Sequence, residues 1–101
     1  DFWKDVRRIE LVRNRFAKVK GGLAVFVSND VFYTKGSKPS SNNHLFSMIG
    51  NVPHSTKKYW SNPNSTCAKT HPNFEVEKAY NIEWHSREID DLDFYYCIVS
   101  I

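Results

Sequence analysis

The sequence predicts an α/β (α+β) domain: one amphipathic N-terminal helix packed on a mixed sheet of about four strands. Three observations predict it. Phe2, Val6, Ile9, Val12, Phe16 and Val19 recur every three or four residues, which puts them on one stripe of a helix. Leu23 to Val27 follow with no polar break, behind two adjacent glycines. Phe74 to Trp84 then alternate apolar and polar, and Phe94 to Ile101 form a second apolar run. Alternation with a period of two is the mark of a strand.

The helix is expected over residues 1–19. Lys18 and Lys20 stand near its C-terminal end, where positive charge suits the helix dipole. Gly21 and Gly22 are expected to stop it in a left-handed turn. The apolar run makes 22–28 a strand covered on both faces. Ser28, Asn29 and Asp30 close it with side chains that bond nearby backbone. Asn29-Asp30 offers an N-cap for a short helical turn over 31–35.

The chain from Gly36 to Asn43 is a loop, and His44–Ile49 is expected to be a short strand. About 50–72 form a flexible excursion rich in Ser, Thr, Asn, Lys and Pro. Residues 74–84 and 94–101, joined across Asp90, Asp91 and Asp93, are expected to be an antiparallel hairpin.

A chain of 101 residues is one domain or, starting as it does at Asp1 inside a helical pattern, the C-terminal fragment of a larger one. No apolar run is long enough to span a membrane, and no signal peptide is visible. Two cysteines, Cys67 and Cys97, are too few for a disulfide framework, so a reducing cytoplasm is expected.

His44, His54, His71 and His85 with Cys67 lack the close paired spacing of a structural zinc site. The serines sit in no nucleophile-elbow pattern, and no glycine-rich phosphate loop is present. Asp90, Asp91 and Asp93 suit a solvated turn better than a catalytic metal cluster.

Charge is the functional hint. Residues 1–20 hold seven Lys/Arg against three acids, and residues 73–101 hold two against seven. Lys4, Arg7, Arg8, Arg15 and Lys18 form a basic helix face able to neutralise phosphates, or an ordinary solvated surface. Lys57, Lys58, Tyr59 and Trp60 read either as a base-stacking patch or as a loop anchored by two rings.

The order of these features resembles a known group. The helix DFWKDVRRIE with Asp5, Arg8 and Glu10, the strand from Gly22 to Asp30 followed by Phe32-Tyr33, then Tyr80, Trp84 and FYYCIVSI carry the likeness. Together they resemble the C-terminal half of bacterial proteins similar to the PD-(D/E)XK nuclease superfamily, the restriction-endonuclease-like fold. The likeness covers most of the chain outside 50–72. It implies a partial restriction-endonuclease-like domain whose parent binds DNA and uses Mg²⁺. That chemistry rests on an Asp and a Glu-x-Lys on strands before the helix. Glu75, Glu77 and Lys78 fall after it, in the wrong order. No catalytic residue and no cofactor is therefore assigned to this chain. The alternative is a small α+β protein-interaction module.

Overall fold

The computed structural model describes residues 1–101. Helix α1 spans Phe2–Arg15. Asp1 caps it, its carboxylate accepting from the Trp3 N–H at 2.9 Å. The helix ends four residues earlier than the stripe predicts. Phe16 is its C-cap in an extended conformation, and Val12 and Phe16 are exposed. The buried stripe is instead Phe2, Trp3, Val6 and Glu10. The helix is thus rotated so that an indole and a carboxylate, rather than Val12 and Phe16, face the interior. Ile9 stays at the margin, partly buried against the core.

Strand β1, Leu23–Ser28, pairs antiparallel with β5, Leu92–Ser100, in the register Leu23↔Ser100 to Ser28↔Tyr95. Strand β4, His85–Ile89, pairs with the other edge of β5, giving a three-stranded sheet in the order β1-β5-β4. The hairpin expected near the C-terminus is therefore β4–β5. Its turn is Asp90-Asp91, both with positive φ (51° and 65°), as a tight hairpin turn requires. Short β2, Lys57–Lys58, and β3, Phe74–Glu75, form a separate antiparallel pair. The class is a mixed α+β domain with its N-terminal helix on the sheet, and every strand pairing is antiparallel.

Several local expectations change. Gly21 and Gly22 do not adopt the left-handed region, which among glycines only Gly36 occupies, at φ 72°. They are there for space. A β-carbon on Gly21 would stand 2.4 Å from the Ile101 carbonyl oxygen, and one on Gly22 would stand 2.6 Å from Ile9 Cγ2. His44–Ile49 is not a strand: His44–Phe46 forms a 3-10 turn. Asn29-Asp30 precedes the helical turn α2, Phe32–Lys35, with Asp30 accepting from the Phe32 N–H at 2.9 Å.

The alternating segment 74–84 is not one strand, yet its alternation is real. Val76, Tyr80 and Ile82 are buried, while Glu75, Glu77, Asn81 and Glu83 are exposed. Its backbone partners are scattered. The Val76 N–H donates to Thr56 O, the His54 N–H to Tyr80 O, and the Asn51 N–H to Ile82 O. Extended chain with one buried face produces a period of two whether or not a neighbouring strand forms a ladder. The intervening loop carries a further helix, α3, Thr66–Thr70, capped by Ser65.

Strand β1 is covered on one face only. Ala24 is buried, and Phe26 packs against Phe2 and Trp84. On the other face Leu23, Val25 and Val27 are 57–63% exposed, and Ile98, Leu92 and Ile89 are 50–56% exposed. The run LAVFV thus has the composition of a doubly covered strand with half of that cover absent from the residues 1–101.

The core joins Phe2, Trp3 and Val6 to Ala24, Cys97, Val99 and Ile101 of the sheet and to Met48, Val76, Tyr80 and Ile82 of the connecting segments. One polar clip crosses it. Glu10 is fully buried, and its Oε2 accepts from the Tyr80 hydroxyl and from the Glu77 N–H, each at 2.7 Å. Its Oε1 accepts no hydrogen bond and faces the Arg7 guanidinium at 3.6 Å. The Glu77 carboxylate in turn accepts from Asn14 and Arg13. The Asn14 amide, with the charges of Arg13 and Arg7, holds the Glu77 carboxyl below the usual range. Removing a donor from a buried carboxylate costs more than an ordinary hydrogen bond. Tyr80→Phe should lower stability by about 2 kcal/mol in urea unfolding. Adding Glu10→Leu should restore part of that loss by removing the buried charge. An unchanged midpoint in Tyr80→Phe would show that the hydroxyl does not hold the carboxylate.

Candidate nucleic-acid interface

The solvent face of α1 is opposite the Phe2, Trp3, Val6 and Glu10 stripe. Positions four and eleven apart lie within about 40° of one another on a helix, so Lys4, Arg8 and Arg15 form one ridge. Arg8 is 71% exposed in its side chain, and its partner is Asp5, one turn earlier, at 2.8 Å. An exposed pair of that kind is worth at most about 1 kcal/mol, so a phosphate can compete for the guanidinium. Arg15 is exposed at the end of the helix, its guanidinium 5.8 Å above the Phe16 ring. Lys4 is half-buried, with Nζ 2.9 Å from His71 Nδ1. Lys18 lies beyond the helix and is exposed.

Arg7 is different. It leaves the ridge and faces Glu10. Arg13, which the composition alone does not separate from the others, is likewise committed to Glu77. The structure therefore divides the basic residues of α1 into two internal partners and an outward ridge.

Tyr59 and Trp60 are anchored to the fold. Tyr59 donates its hydroxyl to Glu75. The Trp60 ring lies against Phe46 with centroids 4.4 Å apart, and its Nε1 donates to His71 O at 2.8 Å. They act as loop anchors, and their neighbour Lys58 is not a surface cation. It is fully buried, with Nζ 3.7 Å from the Trp3 ring centroid and donating to Leu45 O at 3.3 Å. Burial pushes its ammonium down to about 8. His54 is buried beside the same indole, its Nε2 2.7 Å from Ile49 O, and burial lowers its pKa from the ordinary value.

The remaining histidines are dispersed. His44 meets Ser61, His71 meets Lys4, and His85 stacks on Tyr96 and faces Glu83 at 3.8 Å. Asp90 and Asp91 are occupied by the hairpin turn. The residue set of this chain does not fit the Mg²⁺ that the resemblance implies for a parent: Glu10 is committed to Tyr80 and the Glu77 N–H, and no three His, Cys, Asp or Glu side chains converge on one point.

The sequence does not announce an aromatic cleft between the start of α1, α2 and the 3-10 turn. It has a volume of about 520 Å³ and is lined by Phe2, Trp3, Phe32, Tyr33, Phe46 and Trp60 among others. Phe32 is 70% exposed at its rim. The rings come from four separate stretches, so no local spacing betrays them.

No family model matches the chain, and neither does any curated protein or solved structure.

Proposed function

We propose that this chain is the substrate-facing, non-catalytic part of a nuclease-like protein and that it binds nucleic acid through the ridge Lys4, Arg8 and Arg15 together with Lys18 beyond the helix end. The observation that carries this is the division of cations on α1. Arg7 and Arg13 serve Glu10 and Glu77, whereas the ridge residues point outward with weak partners or none from the core. Phosphate recognition of this type is electrostatic and indifferent to sequence. The ligand class is the DNA backbone. Any Mg²⁺-dependent step belongs to acidic residues outside this chain. A cytoplasmic location is part of the same reading, supported by Cys67 and Cys97, which are both unpaired. No helix is long and apolar enough to cross a membrane.

The test is a duplex DNA titration at several salt concentrations. Arg8→Ala with Arg15→Ala should weaken binding and flatten the logarithmic salt dependence by roughly one per lost contact. Both side chains are solvent-facing, so the fold should survive. Equal affinity and equal slope in a folded double variant would remove this function.

A second reading is a protein-interaction module. The open apolar face of the three-stranded sheet favours it, since soluble proteins rarely leave such a face uncovered without a partner.

A further inference from the structure

We infer that the sheet holds a slot for one more strand, between β5 and the chain that leads into β4, and that an extended segment of a partner polypeptide occupies it. The inference rests on the interaction-module reading and is independent of the nucleic-acid one.

The alternation of backbone hydrogen bonds locates the slot. Along an antiparallel pair, only every second residue exchanges its N–H and C=O bonds with that partner, and the residues between turn theirs the other way. Gly22 and Ile101 exchange both bonds. In the register of the pair, Val99, Cys97 and Tyr95 then also serve β1. Ser100, Ile98 and Tyr96 turn their backbone groups to the opposite side. Tyr96 meets His85 there, the first residue of β4. Continued in register, the ladder would match Ile98 with Glu83 and Ser100 with Asn81, yet neither pair bonds.

The facing wall is built in the same way. The carbonyls of Tyr80 and Ile82 accept from the N–H groups of His54 and Asn51. The side chains of Tyr80 and Ile82 are buried, and those of Asn81 and Glu83 are exposed, which is the alternation of extended chain. With Tyr80 and Ile82 bonded on one side, Asn81 and Glu83 present their backbone groups on the other, and those groups have no partner in the chain. Between the walls lies a cavity of about 550 Å³, lined by Asn81, Ile82, Glu83, Ile98, Val99 and Ser100 among others. A free sheet edge normally faces solvent and is blunted by charge or a bulge. Here two free edges share one gap.

The size suits a strand. Within a sheet each residue takes up about 3.3 Å of length, 4.8 Å of width and 10 Å of thickness, roughly 160 Å³. The cavity therefore holds about three residues, the same length as each wall. Main-chain donors and acceptors on both walls select a ligand that carries both along both edges, which is an extended peptide. A phosphate backbone supplies acceptors alone. The walls also choose side chains. Toward the core the slot meets Tyr80, Ile82 and Val99, all buried, and takes an apolar residue. At the outer rim Glu83 is 78% exposed in its side chain, with only His85 near it at 3.8 Å, and it favours Lys or Arg. The walls run antiparallel to each other, so the segment lies antiparallel to one and parallel to the other.

Amide hydrogen exchange followed by NMR reads the slot directly. In the free chain Ile98 and Ser100 should exchange at least about tenfold faster than Cys97 and Val99. Equal protection of all four overturns the slot. A phage-displayed library of random heptapeptides is then selected against the chain, and a synthetic peptide of the selected sequence is titrated. It should slow exchange at Ile98 and Ser100. Methylating its backbone nitrogens at alternate residues should weaken binding by at least about tenfold, the value of one lost hydrogen bond. Ser100→Pro should act alike, since it removes an N–H that faces the slot and takes none from the β1 ladder. Glu83→Lys should weaken peptides that carry Lys or Arg. Circular dichroism establishes that each variant is folded, and the methylated peptides need no variant. Binding indifferent to methylation overturns the proposal. Peptides that leave Ile98 and Ser100 unprotected and are lost in Val27→Lys, on the open face of the sheet, reject the slot and keep the interaction module. A library that yields no binder rejects both.

Discussion

Trp3→Ala should cost about 3–5 kcal/mol and leave the chain largely unfolded at 25 °C. Trp3 is 1% exposed and is one of only 14 buried residues in the chain. Its indole does three things at once. It fills the junction between α1 and the connecting segments, edge-on to Phe2 at 5.3 Å and beside His54 at 5.2 Å. Its Nε1 donates to Phe46 O at 3.0 Å and to Ser47 O at 3.2 Å. Its π-face supports the buried Lys58 ammonium. Alanine leaves a cavity, removes the donor and exposes the ammonium to an empty space. Small domains hold only about 5–15 kcal/mol in all, so such a loss is close to the total. Trp3→Phe should be milder, since the ring remains and only the N–H and part of the volume are lost. Urea unfolding followed by circular dichroism checks both. A Trp3→Ala midpoint within error of the wild type would show that the core does not depend on this ring.

Lys58→Met should act in the opposite direction and change the shape of the pH profile. Burial lowers the Lys58 pKa from 10.5 to about 8 in the folded chain. Below pH 8 the amine is charged in both states, and folding carries the full desolvation cost. Between about pH 8 and 10.5 the unfolded chain still holds the proton and the folded chain has released it. Stability therefore rises with pH across that window. The shift corresponds to about 3 kcal/mol at most. The Trp3 ring and Leu45 O favour the charged form and bring the expected gain nearer 2 kcal/mol. Burial of Cys97 pushes its thiol up to about 11. Its contribution is lost as pH rises above its ordinary value of 9, so the clean window is pH 7–9. Methionine fills the same volume without the charge. Lys58→Met should be more stable than wild type by about 2 kcal/mol at pH 7 and flat between pH 7 and 9. On the acid side, His54 has its pKa lowered by burial. Stability falls as pH drops below 6.5 in both chains, because the unfolded state then binds the proton first. Urea unfolding at pH 7, 8 and 9 decides it. A wild-type profile as flat as that of the variant would mean that Lys58 keeps its proton throughout.

Much of the fold was legible because it is written in periodicity. A helix near Asp1, a strand after the glycines and a hairpin near Ile101 are all local patterns and all three form, but the buried stripe of α1 is Phe2, Trp3, Val6 and Glu10 in place of Val12 and Phe16, and the hairpin partner of β5 is 85–89, not 74–84. What stayed hidden depended on distant partners. Trp3, Val6, Glu10 and Arg13 share a helix face by their spacing, but a carboxylate on that face looks solvated until Tyr80 is seen beside it. Lys58 looked like part of a surface patch because the ring that covers it stands 55 positions away. The alternation of 74–84 revealed which side chains turn inward but not where the backbone finds its partners. Lys4, Arg7, Arg8, Arg15 and Lys18 were legible as a basic group, whereas the diversion of Arg7 required Glu10 to be turned inward beside it, and that of Arg13 the position of Glu77.

The pairing of β1 with β5 sets the order in which the molecule can be made. Leu23 meets Ser100, and Gly22 exchanges both backbone hydrogen bonds with Ile101. Glu10, in the second half of α1, waits for Glu77 and Tyr80. During synthesis the first helix and strand leave the ribosome without the strand that completes them. Until β5 emerges, LAVFV has no strand to pair with, the arrangement most open to wrong partners. Contacts that close loops of this length place folding among slow, non-local topologies, on the millisecond-to-second scale. The nascent chain is then exposed to aggregation for as long as the nine-residue β5 is missing, and β5 acts as the lock for α1 and β1.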